Sequence, residues 1–285
     1  MNFIAANGDT VPQGKDAVSS SSLKSRVISA LVLAPLVAGA IYIGSPVYDL
    51  LVLAAVLVMA WEWRRLCAAQ RFDAAGIVFA VVLAGATGLA SFNLVVPAAL
   101  TVVAGALVVF FMIVGPEGKS SGWTITGVVA IGLTAIALLL IRQIGGDWSV
   151  TMWFLVAIWA TDICAFFVGR TVGGPKLAPK ISPGKTWSGL VGGIAGAVCW
   201  SVVWTLWTGA EQVGTLSFLA AVIAVLAQLG DLGVSRVKRR FGVKDTGTLI
   251  PGHGGLLDRV DGIIGAAPVA ILCVVLARGD MSLWT

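Results

Sequence analysis

Charge is scarce in this chain. Of its 285 residues, 19 are Lys or Arg and 14 are Asp or Glu, which makes 12% charged against 58% hydrophobic. A soluble domain is roughly a quarter charged, so this composition excludes a freely soluble globule and points to a chain embedded in a membrane. Histidine is rarer still, with His253 standing alone. A single imidazole leaves no material for a His-rich metal site and makes a His-based triad a poor expectation. The four cysteines, Cys67, Cys164, Cys199 and Cys273, lie in or beside apolar runs without paired spacing. That excludes a zinc knuckle and gives no basis for a disulfide framework, leaving small buried hydrophobes as the simplest reading. No basic and aromatic pattern of the RNA-binding kind occurs, so nucleic acid is not an expected partner.

What the chain has instead is apolar sequence in long runs. A helix needs about 20 apolar residues to cross a hydrocarbon layer ~30 Å thick. Nine runs approach that length, at 27–44, 47–63, 74–90, 93–114, 122–141, 150–169, 188–208, 215–235 and 260–277. The expected fold is therefore all-α and polytopic, with about nine transmembrane helices. Gly189, Gly192, Gly193 and Gly196 recur at close intervals in the seventh run, as suits helices that approach closely in lipid.

Basic residues are retained on the cytoplasmic side of a membrane. With the N-terminus inside, the segments that face the cytoplasm hold 17 of the 19 Lys and Arg residues, and only Arg142 and Arg278 fall outside. The expectation is a multi-pass protein of a bacterial-type inner or plasma membrane, its N-terminus and its chemistry facing the cytoplasm. Residues 1–23 are polar and Ser-rich, without the apolar core of a cleavable signal, and read as a disordered cytoplasmic tail. Residues 24–148 hold apolar helices suited to packing and dimer contacts, and 149–285 hold the candidate catalytic domain. Glu62, beside Arg64 and Arg65, reads as part of a headgroup-level charge cluster, and Trp61, Trp63, Trp153 and Trp187 read mainly as interfacial anchors.

Two longer connections stand out. One is 170–187, "RTVGGPKLAPKISPGKTW"; the other lies in 238–261, "KRRFGVKDTGTLIPGHGGLLDRVD", which gathers eight charges and the only histidine into 24 residues. Both adjoin carboxylates placed in apolar runs: Asp162, Asp231, Asp258 and Asp261. On the helix rise, Asp162 and Asp231 sit roughly 12 Å and 8 Å below the charged edge. An ionisable side chain at such depth is expensive, and four together suggest function. Asp258 and Asp261, three residues apart, share a helix face. Carboxylates interleaved with Lys, Arg and glycine-rich backbone suit phosphate held through a divalent metal. The phrase "SPGKT" does not make a P-loop, because Pro179 stands where the first glycine is required and Pro183 removes a backbone donor. No strand–turn–helix context supports a Rossmann nucleotide site.

The run 235–261, "SRVKRRFGVKDTGTLIPGHGGLLDRVD", resembles the signature of the phosphatidate cytidylyltransferases, the CDP-diacylglycerol synthases: Ser, two residues, Lys-Arg, four residues, Lys-Asp, then Pro-x-His-Gly-Gly and Asp-Arg-x-Asp. "KLAPKISPGKTWSGLVGG" and "GDL" around Asp231 are similar to that family as well. Ser188 departs from the Glu or Gln common in it, and Cys164, Ala165 and Phe166 depart from its Gly-Ala-Tyr.

The resemblance implies an enzyme of phospholipid biosynthesis, a nucleotidyltransferase that moves CMP from CTP to phosphatidic acid, giving CDP-diacylglycerol and pyrophosphate. It implies Mg²⁺, with room for an additional cation, and a homodimer in the bilayer. On this reading Asp231, Asp258, Lys238 and Lys244 are the catalytic set, and Asp231, Asp258 and Asp261 hold metal. Ser182, Lys185, Arg239, His253, Gly254, Gly255 and Arg259 bind substrate. A cavity open to lipid between the later helices is expected near Asp231 and Asp258. The rival reading is a secondary transporter or channel that uses the intramembrane carboxylates. It would call for inverted repeats and broken helices at the midplane, and no matching halves are visible.

Overall fold

The computed structural model describes residues 20–68, 71–114, 121–144, 146–247, 249 and 254–276. Among these, nine helices follow in order: α1 (Ser20–Ile43), α2 (Val47–Cys67), α3 (Ala74–Ser91), α4 (Val95–Ile113), α5 (Ser121–Ile144), α6 (Ser149–Thr171), α7 (Trp187–Thr208), α8 (Val213–Arg240) and α9 (Leu257–Leu276). Each coincides with one of the nine apolar runs. Six of them, α3 to α8, are long and apolar enough among the described residues to cross a membrane. Their outer faces are as greasy as their inner ones, with Leu100, Phe111 and Leu206 more than 60% exposed. Such surfaces suit lipid rather than water.

One element departs from the all-α expectation. The 170–187 connection folds into an antiparallel hairpin, β1 (Lys176–Ala178) with β2 (Ser182–Thr186), in which Lys176 pairs with Thr186 and Ala178 with Ser182. Thr186 then caps α7, its hydroxyl accepting from the Gly189 amide at 3.0 Å. The hairpin thus ends by fixing the start of a helix.

Contacts between helix ends set the directions. Tyr48 at the start of α2 donates to the Leu138 carbonyl late in α5, and Trp63 at the end of α2 donates to the Trp123 carbonyl at the start of α5. These two helices run antiparallel. Gln143, at the end of α5, donates to the carbonyls of Ala90 and Ser91 that end α3, and Arg142 donates to the Ile41 carbonyl near the end of α1. One face of the bundle therefore collects the C-terminal ends of α2 and α8 and the N-terminal ends of α3, α5, α7 and α9. The described residues of both long connections lie there.

Glycines let the later helices touch through backbone. A methyl on Gly230 of α8 would sit 2.5 Å from the Asp261 carbonyl oxygen, and one on Gly265 of α9 would sit 2.6 Å from the Gly230 Cα. Between α6 and α7, a methyl on Gly192 would lie 2.5 Å from the Val168 Cβ. The glycine series of the seventh run is a packing device, as expected.

Three side-chain expectations change. Trp63 and Trp153 are 2% exposed and donate to protein acceptors, Trp153 to the Ser201 hydroxyl at 3.0 Å, so they are core residues rather than interfacial anchors. Glu62 is buried completely and does not sit in a headgroup cluster. Cys199 is exposed, although Cys67 is buried as expected.

Candidate active site

Four polar residues of α8 follow helical spacing: Gln228, Asp231, Ser235 and Lys238. They form one polar stripe along a helix that is mostly apolar before its basic last turns. The Ser235 hydroxyl donates to Asp231 Oδ1 at 3.1 Å, holding the carboxylate from its own helix. After Lys238 the helix closes on Gly242 at φ +72°, with the Gly242 amide on the Arg239 carbonyl and the Val243 amide on the Lys238 carbonyl. That pair of bonds is a glycine-capped C-terminus of the Schellman kind. Lys238, Arg239 and Arg240 therefore belong to the last turn of α8, where cations are favoured by the helix dipole, and not to a loop.

The hairpin brings Lys185 to this stripe. Its ammonium lies 2.5 Å from Asp231 Oδ2 and donates to Gln228 Oε1 at 2.8 Å. The Gln228 amide in turn donates to Asp162 Oδ1 of α6 at 3.3 Å. Asp162, Gln228, Lys185 and Asp231 thus make one chain of bonds across three elements. Asp162 also lies in electrostatic range of Arg259, and Asp261 in range of Asp231, Lys238 and Asp162. Asp231 keeps 27% of its side chain exposed and Lys185 18%, so this end of the cluster is open.

The other end is closed. The Asp258 side chain is 5% exposed; its Oδ1 accepts from the Lys238 ammonium at 2.8 Å. Its Oδ2 accepts from the Thr246 amide at 2.9 Å, the Gly255 amide at 3.0 Å and the Thr246 hydroxyl at 3.2 Å. Gly254, at φ +85°, leaves no room for a side chain, because a methyl there would lie 2.9 Å from Asp258 Oδ2. At Gly255 the intruding methyl would meet Glu62 at 2.7 Å. These glycines allow close approach to carboxylates, and the Gly255 amide already donates within the protein.

Of the remaining expected residues, Ser182 is half-buried in β2, and Lys244 lies exposed in the bend after α8. Arg239 is exposed and donates to the Ile181 and Val243 carbonyls, tying α8 to the hairpin. Arg259 is exposed in the first turn of α9. His253 lies outside the described residues. The structure thus joins Lys185 directly to Asp231 and Lys238 to Asp258, with Asp261 within electrostatic reach.

Sequence reasoning missed Gln228, Thr246 and the role of Glu62. Gln228 and Glu62 had a readable signal, as polar side chains inside apolar runs. Thr246 had none, since its importance depends on a fold that brings it beside α9. An apolar hollow lined by Ile141, Val150, Trp153, Phe154, Leu219, Ile223 and Ala270 lies apart from this chemistry.

No three described His, Cys, Asp or Glu side chains converge as a ready-made metal cage. The donor chemistry nevertheless fits a divalent ion. Asp231 and Asp258 each set one oxygen against a lysine ammonium and the other against neutral donors. Asp231 keeps an exposed edge, whereas Asp258 would have to give up a donor such as Lys238 to bind an ion; Mg²⁺ takes one or two carboxylates with substrate phosphates and waters completing its shell.

Fold and site together define a polytopic membrane protein with a carboxylate and lysine centre at one end of its helical bundle. The chain belongs to the Cytidylyltransferase family, whose profile matches residues 24–277. It is 38% identical over 255 residues to a phosphatidate cytidylyltransferase of Brucella suis, covering 88% of this chain and 93% of that protein. A phosphatidate cytidylyltransferase of Pseudomonas aeruginosa is 35% identical over 261 residues, covering 87% and 95%. One from Rickettsia bellii is 40% identical over 131 residues, 43% of this chain.

Proposed function

We propose that the protein is a CTP:phosphatidate cytidylyltransferase, carried by its similarity along nearly the whole chain to proteins of that name. An oxygen of the phosphatidic acid phosphate attacks the α-phosphorus of CTP. The bond to the β-phosphate oxygen breaks, so CDP-diacylglycerol forms and pyrophosphate leaves. The attacking group is already anionic, with a second pKa near 6, and needs no strong base. The obstacle is repulsion between two polyanions, and catalysis reduces to positioning and charge neutralisation.

Asp231, Asp258 and Asp261 would hold Mg²⁺, with room for an additional cation. When bound, the ion supplies the positive charge that draws the two phosphates together. Lys185 and Lys238 are the nearest protein cations to Asp231 and Asp258 and would exchange carboxylate for phosphate as substrate arrives. Lys244, Arg239 and Arg259 present further positive charge at the same end, and Ser182, His253, Gly254 and Gly255 complete the proposed substrate contacts. Residues 149–285 carry most of this site. Nine spans, a cytoplasmic active site, an opening to lipid beside Asp231 and a homodimer belong to the same proposal.

The purified protein, given CTP labelled in its α-phosphate, phosphatidic acid and Mg²⁺, should yield labelled CDP-diacylglycerol and equimolar pyrophosphate, and EDTA should stop both. Folded protein that labels no lipid contradicts the proposal.

A further inference from the structure

Glu62, from the first half of the chain, bonds directly to the start of α9 and to Thr246, the residues that surround Asp258. It is 0% exposed, near the end of α2. Its Oε1 accepts from the Leu256 amide at 2.8 Å, and its Oε2 accepts from the Leu257 amide at 2.8 Å and the Thr246 hydroxyl at 3.1 Å. The first amides of a helix have no partner within it and carry its positive dipole end, so a buried carboxylate is well placed there. Glu62 therefore holds the N-terminus of α9 from a helix almost 200 residues earlier.

The same hydroxyl faces a second carboxylate. Thr246 Oγ1 also lies 3.2 Å from Asp258 Oδ2, so its one proton is shared between the two carboxylates, while the Thr246 amide donates to Asp258 Oδ2 at 2.9 Å. Thr246 thus stands between two carboxylates, one from α2 and one from α9. Gly255 threads the gap, since a methyl there would overlap both the Thr246 hydroxyl and Glu62. The described donors on Asp258 Oδ2, from Thr246 and Gly255, both adjoin Glu62, while Oδ1 accepts from Lys238.

We propose that Glu62 is a positioning residue for CMP transfer: through the Thr246 hydroxyl and the first amides of α9, it fixes which oxygen of Asp258 faces the reacting phosphates. It touches neither substrate. This inference rests on the proposed reaction and adds to it that the N-terminal half of the chain completes the site. A misplacement of about 1 Å can cost about 10²-fold in rate, so the effect falls on kcat rather than on CTP affinity.

The test compares wild type, E62Q, T246V, T246S and the double variant E62Q/T246V in full-length protein in detergent. Glutamine has one acceptor oxygen in place of two and sets an N–H against an amide. Valine keeps the shape of threonine without its hydroxyl, and serine keeps the hydroxyl. E62Q and T246V should each lose about 10²-fold in kcat with KM for CTP within about threefold, and T246S should retain most of the activity. The double variant should lose no more than the worse single one, because residues acting as a unit are not additive. Without metal or substrate, hydrogen exchange should rise at the Leu256 and Leu257 amides in E62Q. Three results would overturn the assignment: kcat within twofold of wild type in E62Q or T246V despite a lower melting point, losses that multiply in the double variant, or T246S as damaged as T246V. If E62Q does not fold, the T246V and T246S pair still decides. An inactive wild type would instead count against the reaction itself, and the exchange data would then judge the clamp alone.

Discussion

Arg64 is fully buried, and its guanidinium is held by Asp73, Nη2 to Oδ2 at 2.6 Å and Nε to Oδ1 at 2.9 Å, with Thr124 as a third partner. Asp73 also caps α3 by accepting from the Gly76 amide. Its hydrogen bonds from Arg64, more than any other influence, hold the Asp73 carboxyl below its ordinary value of 3.8. A carboxyl depressed on folding adds stability that is present above its unfolded value and lost as pH falls through the folded one. Thermal unfolding in detergent should therefore show Asp73→Asn destabilised at pH 7 by about 1 kcal/mol, a figure discounted because this carboxylate is 40% exposed. The difference from wild type should shrink as pH drops below about 4. A gap that stays constant down to pH 3 would contradict the pairing. The paired Arg64 and Glu62 look alike in sequence, two charges near the end of an apolar run. Their different partners, one on α3 and one on α9, are set by tertiary packing that no local pattern reveals.

Helix existence was legible because membrane-length apolar runs have few other stable outcomes: nine runs became nine helices among the described residues. Helix ends were less so. The eighth run stops at residue 235 by hydropathy, yet α8 continues to Arg240, because a basic last turn is favourable to the dipole and Gly242 supplies the cap. The hairpin was hidden by its own prolines and lysines, which read as loop, and its strands are only 3 and 5 residues long. The α8 and α9 contact carries a sharper expectation. Gly265→Ala places a methyl against backbone and should cost about 1–3 kcal/mol while lowering CMP transfer, by moving Asp261 away from Asp231. Gly214→Ala, where nothing lies within 4 Å, should leave melting and activity near wild type. Equal behaviour of the two variants in thermal unfolding and turnover would argue against the close approach as the reason for Gly265.

Taken whole, the molecule gathers the described parts of its two long connections and its carboxylate and lysine cluster at one end, and the family match spans both halves. The basic residues predict which end meets the cytoplasm. With Cys199 replaced by serine, a cysteine at Lys244 should react with an impermeant thiol reagent only in inside-out vesicles, and one at Asp147 only in right-side-out cells. The reverse pattern would invert the topology. The candidate site itself was largely legible, since its carboxylates and lysines stand out against apolar sequence. Its support from α2 was not, because nearly 200 residues separate Glu62 from the amides it binds.

The central claim is that the Asp231 and Asp258 pairs carry CMP transfer, and turnover of Asp231→Asn and Asp258→Asn beside wild type tests it most directly. Each variant should lose at least about 10²-fold in rate while remaining folded by thermal unfolding. A folded variant of either kind that keeps more than half of the wild-type rate would contradict the account and place the chemistry elsewhere in the bundle.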